Sequence, residues 1–434
     1  MKLMVVGGGA REHALTARLA ADPGVEEILC VPGNPGIAAI ARTIAADSTS
    51  PDQLLALAVR EHADLTVVGP EVPLSLGVAD RFAAASRLLV GPSAAAARLE
   101  TSKAFAKSFM ARHGIPTARF QTCETASDAN RCIATGEFGL PVVLKADGLA
   151  AGKGVVVAST RIEAEAAIDA AMSQRRFGEA GARLVVEECL SGPEVSFFVI
   201  SDGRSALPIG SAQDHKRIFD GDRGPNTGGM GAFAPSPLVD EALQGYVMRA
   251  IVEPVIHGMS AEGSPFSGFL YVGLMLTAEG PKVIEFNVRL GDPEAQVILS
   301  LIDEPLVPLL VGAARGALRR TACRQSSDKL VGVVLASRGY PETSDSGKVI
   351  TGINAAEAET GVAVYHAGTA RVAGQLTTAG GRVLTVVGRG GSFAEAAARA
   401  YAGVSHIAFD GMQYRRDIGR RALDVPAESR ARIP

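Results

Sequence analysis

The chain has 434 residues, of which 47% are hydrophobic and 21% are charged, so it can form several hydrophobic cores and we expect more than one domain. Its 43 Lys and Arg nearly balance its 46 Asp and Glu, and the resulting net charge of −3 argues against a dedicated nucleic-acid-binding protein. Only 5% of the residues are aromatic and none is Trp, which also argues against a stacking platform for single strands.

The first part of the chain alternates between short apolar runs and helical patterns. Strands are predicted at 3–6, 27–31, 65–68 and 88–90, and helices at 11–21 and 51–62. Repeated β-α-β units imply a parallel, doubly wound sheet over about residues 1–100, and such sheets bind ligands beyond the carboxyl ends of their strands. Those ends carry Gly7-Gly8-Gly9, Pro32-Gly33-Asn34 and Gly69-Pro70-Glu71.

The glycine turn at 7–9 follows a strand and opens a helix, so its backbone N–H groups can hold an anion. The G-x-G-x-x-G pattern of dinucleotide sites would place Glu12 or His13 at its third glycine, and the second strand lacks the acidic residue that binds a ribose. The neighbouring Arg11 favours a phosphate monoester instead. A tight turn without a ligand is the structural alternative.

After a helix predicted at 102–113, a Gly/Ala loop resembles a P-loop only superficially. Gly148 and Gly152 enclose three residues where a P-loop has four, and Gly154 replaces the hydroxyl residue that binds magnesium. The loop also joins two predicted strands, 141–147 and 154–159, instead of a strand and a helix. A hairpin lid that closes over a triphosphate therefore fits better.

Charged residues on the flanking strands fit the same interpretation. Lys145 precedes the loop and would supply positive charge, although an isolated strand lysine is more often only solvated. The strand predicted at 184–188 leads through a short turn to Glu194. Such a strand can offer backbone groups to an adenine edge, and a carboxylate beyond it can accept hydrogen bonds from ribose hydroxyls. Alone this signal is weak, because acidic residues beside turns are common.

Residues 213–217 read Gln-Asp-His-Lys-Arg and precede a glycine-rich stretch at 221–231. A solvated surface loop is the usual explanation of such a polar run. The many neighbouring glycines favour a second explanation, in which the loop handles an anion.

The strand predicted at 282–289 has the most informative pattern. Because side chains alternate along a strand, Glu285, Asn287 and Arg289 share one face. The apolar residues predicted to face the core are Ile284, Phe286 and Val288. A carboxylate, a carboxamide oxygen and a guanidinium suit Mg²⁺ and phosphate oxygens, and the adjacent Gly-Asp-Pro-Glu turn favours a site. A half-exposed antiparallel strand with a wet polar face is the alternative.

The last part of the chain restarts with a strand at 330–337 and ends in an Ala-rich helix near 392–404, as expected of a compact terminal domain. The five cysteines form no C-x-x-C pair, which predicts a reducing compartment. The N-terminus lacks the form of a signal peptide, and no apolar run reaches the ~20 residues of a membrane span. We therefore expect a cytoplasmic protein without a membrane or nucleic-acid partner.

In this order, these segments resemble the ATP-grasp carboxylate–amine ligases, and specifically the glycinamide ribonucleotide synthetase family. The resemblance covers nearly the whole chain and is most specific where 213–217 is followed by 224–231. It rests on the segments 7–14, 32–34, 69–71, 145–155, 213–217, 224–231 and 285–294. It implies ATP-dependent joining of glycine to 5-phosphoribosylamine through a glycyl phosphate, with ATP and Mg²⁺ or Mn²⁺ as cofactors.

The resemblance also implies an α/β multidomain fold. Its parts would be an N-terminal doubly wound parallel sheet at 1–102, an ATP-grasp domain at 103–330 and a small C-terminal α+β domain at 331–434. A mobile lid would occupy about residues 120–192. Small-molecule substrates and a monomer or weak homo-oligomer are expected.

Site residues carried over from the family fall into four groups. Those implied to bind ATP include Lys103 and Lys145 at the phosphates and the lid residues Gly152, Lys153 and Gly154. Glu187 and the Leu190 backbone are implied to contact the adenine, and Glu194 is implied to contact the ribose. Those implied to hold the metal are Glu285 and Asn287. Those implied to line the acyl-transfer centre are Arg289, Asp292, Asp214 and Lys216. Those implied to hold phosphoribosylamine are Gly9, Arg11 and Glu71.

The chain departs from the family pattern at two positions. Ala10 stands where the family usually has another glycine, and Cys189 occupies a hinge position that is commonly aromatic. Two other functions remain open at this point. A related carboxylase of a purine intermediate would turn over with bicarbonate and without glycine, and a non-catalytic regulator would bind ATP without forming ADP.

Overall fold

The computed structural model describes residues 1–149, 154–320 and 322–423. Its N-terminal part is a five-stranded sheet in which every neighbouring pair of strands is parallel. Its strands, in the spatial order β3-β2-β1-β4-β5, are β1 Lys2–Gly7, β2 Glu27–Pro32, β3 Arg42–Thr43, β4 Leu65–Val68 and β5 Leu89–Val90. Its helices are α1 Ala10–Ala20, α2 Pro51–Arg60, α3 Glu71–Ser75, α4 Val78–Ala84 and α5 Ala94–Thr101. The predicted doubly wound parallel sheet is confirmed.

A second, antiparallel sheet of four strands follows helix α6 Lys103–Arg112. Its strands, in the spatial order β6-β9-β7-β8, are β6 Phe120–Cys123, β7 Val142–Ala146, β8 Val155–Ala158 and β9 Leu184–Glu188. Helices α7 Ala126–Thr135 and α8 Arg161–Ile168 pack with it around a separate hydrophobic core. Strands β7 and β8 form an antiparallel hairpin, so the predicted strand–loop–strand arrangement is confirmed.

The centre of the molecule is an antiparallel sheet of eight strands, in the order β16-β15-β10-β11-β14-β17-β21-β18. The strands before residue 300 are β10 Glu194–Asp202, β11 Ala206–Asp214, β12 Arg217–Phe219, β13 Arg223–Asn226, β14 Gly231–Ala234, β15 Ser267–Thr277 and β16 Gly280–Asn287, with β12 and β13 forming a separate hairpin. The accompanying helices are α9 Glu241–Val247, α10 Glu253–Ala261, α11 Glu294–Ile298 and α12 Val307–Ala314.

The C-terminal part continues this central sheet. Its strands are β17 Lys329–Ala336, β18 Val362–His366, β19 Thr369–Val372, β20 Gln375–Thr378 and β21 Arg382–Gly390, and its helices are α13 Ile353–Glu357, α14 Phe393–His406 and α15 Arg420–Leu423. It has a hydrophobic core of its own between the sheet and α14. However, β17 pairs with β14, so backbone hydrogen bonds join the C-terminal part to the middle of the chain.

The N-terminal sheet and the central sheet also share hydrophobic cores. One core includes Val6 of β1 together with Phe286 of β16, and both side chains are buried. Arg289, just beyond β16, pairs with Glu71, just beyond β4, so the carboxyl end of this N-terminal strand faces the end of β16. Among the described helices, none combines the length and the hydrophobicity that crossing a bilayer requires.

Candidate active site

The predicted polar face of β16 is confirmed, but a β-bulge shifts its apolar face. Glu285 pairs with Gly273 and Val283 with Leu274, so Ile284 is an extra residue without a partner in the ladder. Its predicted place in the core is wrong, because Ile284 is only half-buried and Val283 is buried instead. The bulge leaves the Ile284 carbonyl to accept a hydrogen bond of 2.9 Å from Lys145 Nζ.

A group of lysines, which we call the lysine cluster, lies between Glu187 and the base of the β7–β8 loop, beside β16. Its members are Lys103, Lys107 and Lys145 with the carboxylate of Glu187. Glu187 Oε2 lies 2.9 Å from Lys107 Nζ and 3.0 Å from Lys145 Nζ. Lys103 Nζ instead donates to a backbone carbonyl, so the three lysines have one ion-paired carboxylate between them and positive charge is left for a ligand. The prediction placed Lys103 and Lys145 together and missed Lys107, which lies one helical turn after Lys103.

The fold fixes Lys103 through the start of α6. Ser102 caps this helix, and its hydroxyl accepts from the Phe105 N–H and donates to Asp147 Oδ1 at 3.0 Å. The same carboxylate oxygen accepts from the Ala104 N–H. Lys103 Nζ can then donate to the Gly148 carbonyl at 2.9 Å, at the base of the β7–β8 loop. The lysine therefore lies beside the segment predicted to act as a lid.

Burial weakens the charges of the lysine cluster without removing them. Burial lowers the pKa of Lys103, and it lowers the pKa of Lys107 to about 8 although Glu187 opposes this shift. Burial would raise the pKa of Glu285, but the positive charges of Lys216, Lys145 and Lys103 outweigh it and lower that pKa. Glu285 is therefore a carboxylate at neutral pH, and cations surround it.

A second charged group, which we call the Arg289 centre, lies just beyond the end of β16. It consists of Arg289 with Glu71, Glu100 and Asn287. The Arg289 guanidinium lies 3.3 Å from Glu71 Oε2 and 2.9 Å from Glu100 Oε1, and it donates to Asn287 Oδ1 at 3.2 Å. Glu100 also accepts a 2.8 Å hydrogen bond from the Val288 N–H. One cation here faces two carboxylates, so Arg289 is already paired within the protein.

The two carboxylates of this centre respond differently to their surroundings. Burial raises the pKa of Glu100, and the charge of Arg289 only partly offsets this effect. Burial would also raise the pKa of Glu71, but Arg289 and Arg11 outweigh it and lower that pKa. The sequence analysis missed Glu100, because no motif surrounds it at the end of α5.

The polar run 213–217 is not a solvated surface loop, and that interpretation is wrong. Gln213 and His215 are buried, and Asp214 ends strand β11. Lys216 Nζ lies 2.6 Å from Glu194 Oε2. This ion pair joins Lys216, which was predicted to line the acyl-transfer centre, to Glu194, which was predicted to bind the ribose of ATP. Burial would lower the pKa of Lys216, but Asp214 and Glu194 outweigh it and raise that pKa.

Two acidic residues near Lys216 hold their protons more tightly than usual. Burial raises the pKa of Asp214. Burial and the charge of Asp214 raise the pKa of Glu294 to about 7, and Ser196 Oγ donates to Glu294 Oε1 at 3.2 Å. Perturbed carboxyl groups of this kind are concentrated at functional sites.

The N-terminal glycine turn is filled by the side chain of Glu12. Its carboxylate accepts 2.7 Å hydrogen bonds from the Gly9 N–H and from Arg11 Nε. A Cβ atom added at Gly69 would lie 2.0 Å from Glu12 Oε1, so only glycine fits beside this carboxylate. Arg11 Nη1 also donates to the Leu290 carbonyl at 2.9 Å. The turn is therefore held against the segment that carries Arg289 and Asp292.

The remaining predicted residues lie in loops around these groups. Asp292 Oδ1 accepts from Gln296 Nε2 at 2.9 Å. Leu190 lies in the turn between β9 and β10, and the Gly154 carbonyl accepts from the Ala146 N–H at the base of the β7–β8 hairpin. The predicted lid residues Gly152 and Lys153 lie outside the described residues. The roles of all these residues stay predictions.

The residues present fit a divalent cation that shares its ligands with phosphates. Within the described part of the chain, no cluster of three or more His, Cys, Asp or Glu could hold a metal alone. Glu285 and Asn287 nevertheless provide carboxylate and carboxamide oxygens on one face of β16. Mg²⁺ and similar ions commonly take one or two carboxylates and complete their shell with phosphate oxygens and water.

Comparison with known proteins places all three parts of the chain in one family. The N domain, the ATP-grasp (A) domain and the C domain of phosphoribosylglycinamide synthetase match residues 1–100, 101–295 and 330–421. The phosphoribosylamine–glycine ligase of Xanthomonas axonopodis pv. citri is 52% identical over 427 residues, covering 98% of each chain. That of Ralstonia nicotianae is 50% identical over 424 residues, covering 98% of this chain and 100% of the relative.

Solved structures agree with these matches and with the predicted ATP-grasp fold. The phosphoribosylamine–glycine ligase of Thermotoga maritima has a TM-score of 0.82 and 34% identity, covering 96% of this chain and 100% of that one. Biotin carboxylase of Campylobacter jejuni has a TM-score of 0.73, covering 98% of this chain and 95% of that one, but only 16% identity. The second likeness shows the shared fold alone.

Proposed function

The chain belongs to the phosphoribosylglycinamide synthetase family, and we propose that its active site joins glycine to 5-phosphoribosylamine while ATP is converted to ADP and phosphate. It is accordingly a ligase of purine biosynthesis that forms a C–N bond, uses ATP and requires a divalent metal. One observation in the site carries the proposal. The Glu285 carboxylate accepts no hydrogen bond from the described residues, although the charges of Lys103, Lys145 and Lys216 all act on it.

The lysine cluster is the place that we assign to the ATP phosphates. Its spare positive charge attracts a polyanion, and its buried position makes each charge more effective than it would be in water. Lys103 lies at the base of the β7–β8 loop, which suits a lid that closes over the phosphates. The β9–β10 turn with Leu190 would receive adenine, and Glu194 would receive the ribose.

Glu285 and Asn287 would hold the divalent metal, either Mg²⁺ or Mn²⁺. When bound, the metal supplies positive charge that neutralises the phosphates during transfer. Arg289 donates to Asn287 Oδ1 and is itself held by Glu71 and Glu100. Arg289 therefore orients Asn287, while Glu71 links this orientation to the N-terminal domain.

The reaction would proceed in two displacements. In the first, an oxygen of the glycine carboxylate attacks the γ-phosphorus of ATP, and the bond to the leaving ADP oxygen breaks. In the second, the amine of phosphoribosylamine attacks the carbonyl carbon of glycyl phosphate, the C–O bond to phosphate breaks, and the amine loses a proton. The chain must orient both reactants, neutralise charge and exclude water from the acyl phosphate.

The residues proposed for the second step come from opposite parts of the chain. Gly9 and Arg11 of the N-terminal turn would hold phosphoribosylamine, and Asp214, Lys216 and Asp292 would surround the reacting carbonyl. The hydrogen bond from Arg11 to the Leu290 carbonyl supports this arrangement, since it joins the N-terminal turn to the Asp292 segment. No covalent nucleophile is required for either displacement.

We further infer that the protein works in the cytoplasm, as a monomer or weak homo-oligomer, on small molecules and without nucleic acid. The nearly balanced charge of the chain supports the last point. Light scattering on the purified protein checks the oligomeric state.

The function is tested by measuring ADP release with freshly generated phosphoribosylamine, with and without glycine. We expect ADP release to require both substrates and Mg²⁺ or Mn²⁺. Turnover that needs bicarbonate and not glycine would identify a carboxylase instead. ATP binding without ADP release under any combination of substrates would identify a regulator.

A further inference from the structure

Two residues of the C-terminal part hold the glycine-rich loop that precedes β14. The Gly228 N–H donates to Tyr340 Oη at 2.8 Å, and the Gly228 carbonyl accepts from Arg382 Nη1 at 2.6 Å. A side chain at Gly228 would lie 3.0 Å from the Arg382 guanidinium carbon and 3.2 Å from Tyr340 Oη. The two contacts therefore fix the peptide groups on both sides of Gly228.

The same arginine also holds the turn that contains Asp292. Arg382 Nη1 donates to the Asp292 carbonyl at 2.5 Å and lies 3.5 Å from Asp292 Oδ1. The glycine-rich loop also packs closely against the Asp292 turn. A Cβ atom added at Gly229 would lie only 2.5 Å from Pro293 Cδ, so the space between them admits no side chain. A single guanidinium at the start of β21 thus joins two segments that are distant in sequence.

The loop is in turn connected to Lys216. The Thr227 N–H donates to the Lys216 carbonyl at 2.7 Å, and the Met230 N–H donates to the His215 carbonyl at 2.8 Å. A displacement of Gly228 would therefore move the backbone that carries Lys216. Burial would raise the pKa of Asp292, but Arg382, Arg11, Arg289 and the hydrogen bond from Gln296 together outweigh it and lower that pKa, so the pair remains charged.

We propose that Arg382 is a positioning residue for acyl transfer, which locks the glycine-rich loop against the Asp292 turn so that the amine, and not water, reaches glycyl phosphate. The proposal rests on the proposed function. Charge-assisted hydrogen bonds from a planar guanidinium are stronger and more directional than neutral ones, so an arginine suits this role.

Loss of this lock has a chemical consequence that can be measured. Water would attack the carbonyl carbon of glycyl phosphate, and the C–O bond to phosphate would break. Glycine and phosphate would be released, so ATP would be consumed without ligation. Enclosed active sites suppress such hydrolysis of reactive intermediates. A variant that only destabilises the protein would lose ADP release and product formation together.

The test measures ADP release and the incorporation of radiolabelled glycine into product in the same reaction. The variants are Arg382→Met, Arg382→Lys and Tyr340→Phe, the last of which removes one hydroxyl and should fold if the others do not. Arg389→Met is the matched control, because Arg389 lies on the same strand and pairs with Asp328 at 2.6 Å, away from the loop.

We expect the wild type and Arg389→Met to release one ADP for each product formed. Arg382→Met should release roughly twofold more ADP than product or worse, with smaller excesses for Arg382→Lys and Tyr340→Phe. A ratio of one in Arg382→Met and Tyr340→Phe would overturn the proposal, whatever their rates. Absence of glycine-dependent ADP release from the wild type would instead contradict the proposed function.

Discussion

The lysine cluster and the Arg289 centre both contact β16, yet their balances of charge are opposite. In the lysine cluster Lys107 and Lys145 share the one carboxylate of Glu187 and Lys103 is bonded to a backbone carbonyl, whereas in the Arg289 centre one cation pairs with both Glu71 and Glu100. The cluster therefore has positive charge to offer to a ligand, while Arg289 is satisfied by the protein. The charged residues of the lysine cluster therefore suit the binding of an anionic ligand, whereas those of the Arg289 centre suit the positioning of Asn287.

The difference also separates the energetic roles of the two groups. A buried ion pair adds little net stability, but removing one partner leaves the other charge buried without compensation. The Arg289 centre joins β16 to α5 and to the start of α3, so we expect its loss to weaken the fold. The lysine cluster lies where substrate phosphates would restore its balance, so we expect its loss to weaken binding.

The strongest test removes the carboxylate between the two groups. Glu285→Ala should lower turnover at least about a hundredfold, because one charged group that acts on the transferring phosphate contributes this much. The melting temperature should fall only modestly, because the surrounding lysines favour the charge of Glu285 but no described residue donates a hydrogen bond to it. ADP release at saturating substrates and a melting curve measure the two effects.

The control for this variant is Glu279→Ala on the same β15–β16 hairpin. Glu279 is exposed and pairs only with Lys282 at 2.7 Å among the described residues. It should retain wild-type turnover. Near-normal turnover in Glu285→Ala would refute the proposal that Glu285 holds the divalent metal.

The second prediction concerns the stability of the Arg289 centre. Glu100→Gln keeps the shape of the side chain and removes one of the two carboxylates that face Arg289. We expect the free energy of unfolding to fall by about 2 kcal/mol, because Glu100 accepts from both Arg289 and the Val288 N–H, and the amide nitrogen of Gln would leave one of these donors without an acceptor. Urea denaturation measures this change. The requirement for Mg²⁺ should also rise, because Asn287 is oriented by the same arginine.

Glu188→Gln provides the comparison for Glu100→Gln. Glu188 pairs with Arg119 at 2.7 Å, but the arginine of that pair is 61% exposed. Exposed pairs add little to stability, so the loss there should stay below about 1 kcal/mol. Equal losses in the two variants would show that the Arg289 centre is not a special support of the fold.

Glu100 also shows where prediction from the sequence ends. The strands and helices that were predicted lie within a few residues of their observed bounds, because each depends on a local pattern of apolar and polar side chains, whereas β10, β11 and β14 of the central sheet were not predicted. Lys145, Glu285 and Asn287 were predicted because each lies in a short motif. Glu100 meets Arg289 only after α5 has packed against β16, and no nearby residue signals that contact.

The same limit applies to the sheet and to β16 itself. The pairing of β14 with β17 joins residues about a hundred positions apart, and their strand patterns are equally compatible with other partners. The bulge at Ile284 follows from the register of β15 against β16. Strict alternation therefore predicted the polar face correctly and misplaced one apolar residue. Lys107, by contrast, could have been found from its helical spacing to Lys103.

The third prediction removes positive charge from the lysine cluster. Lys145→Met should weaken ATP binding about tenfold, which corresponds to roughly 1.4 kcal/mol, because a charge assigned to the phosphates is lost. Calorimetric titration with ATP and Mg²⁺ measures this effect. Lys282→Met, which changes a lysine on β16 itself that pairs with Glu279, should bind ATP as the wild type does. Equal affinities of Lys145→Met and the wild type would place the phosphates elsewhere.

The smallest expected effect distinguishes the two groups by pH. Burial lowers the pKa of Lys107 to about 8, whereas the pKa of Arg289 is raised, so only the lysine cluster loses charge between pH 7 and pH 9. The charged and titratable groups around Lys107 are Glu187, Lys145 and Glu188. ATP affinity should therefore fall roughly threefold to tenfold from pH 7 to pH 9, as deprotonation removes one positive charge.

Stability should change in the opposite direction over the upper part of this range. The folded pKa of Lys107 lies below its ordinary value of 10.5, so above pH 8 the unfolded chain holds more protons and this lysine favours folding increasingly as pH rises. Lys107→Arg keeps its charge and should flatten the ATP affinity profile. If the ATP affinity of Lys107→Arg falls between pH 7 and pH 9 as steeply as that of the wild type, another group titrates in this range. The positive charge that the lysine cluster offers to ATP would then not depend on Lys107.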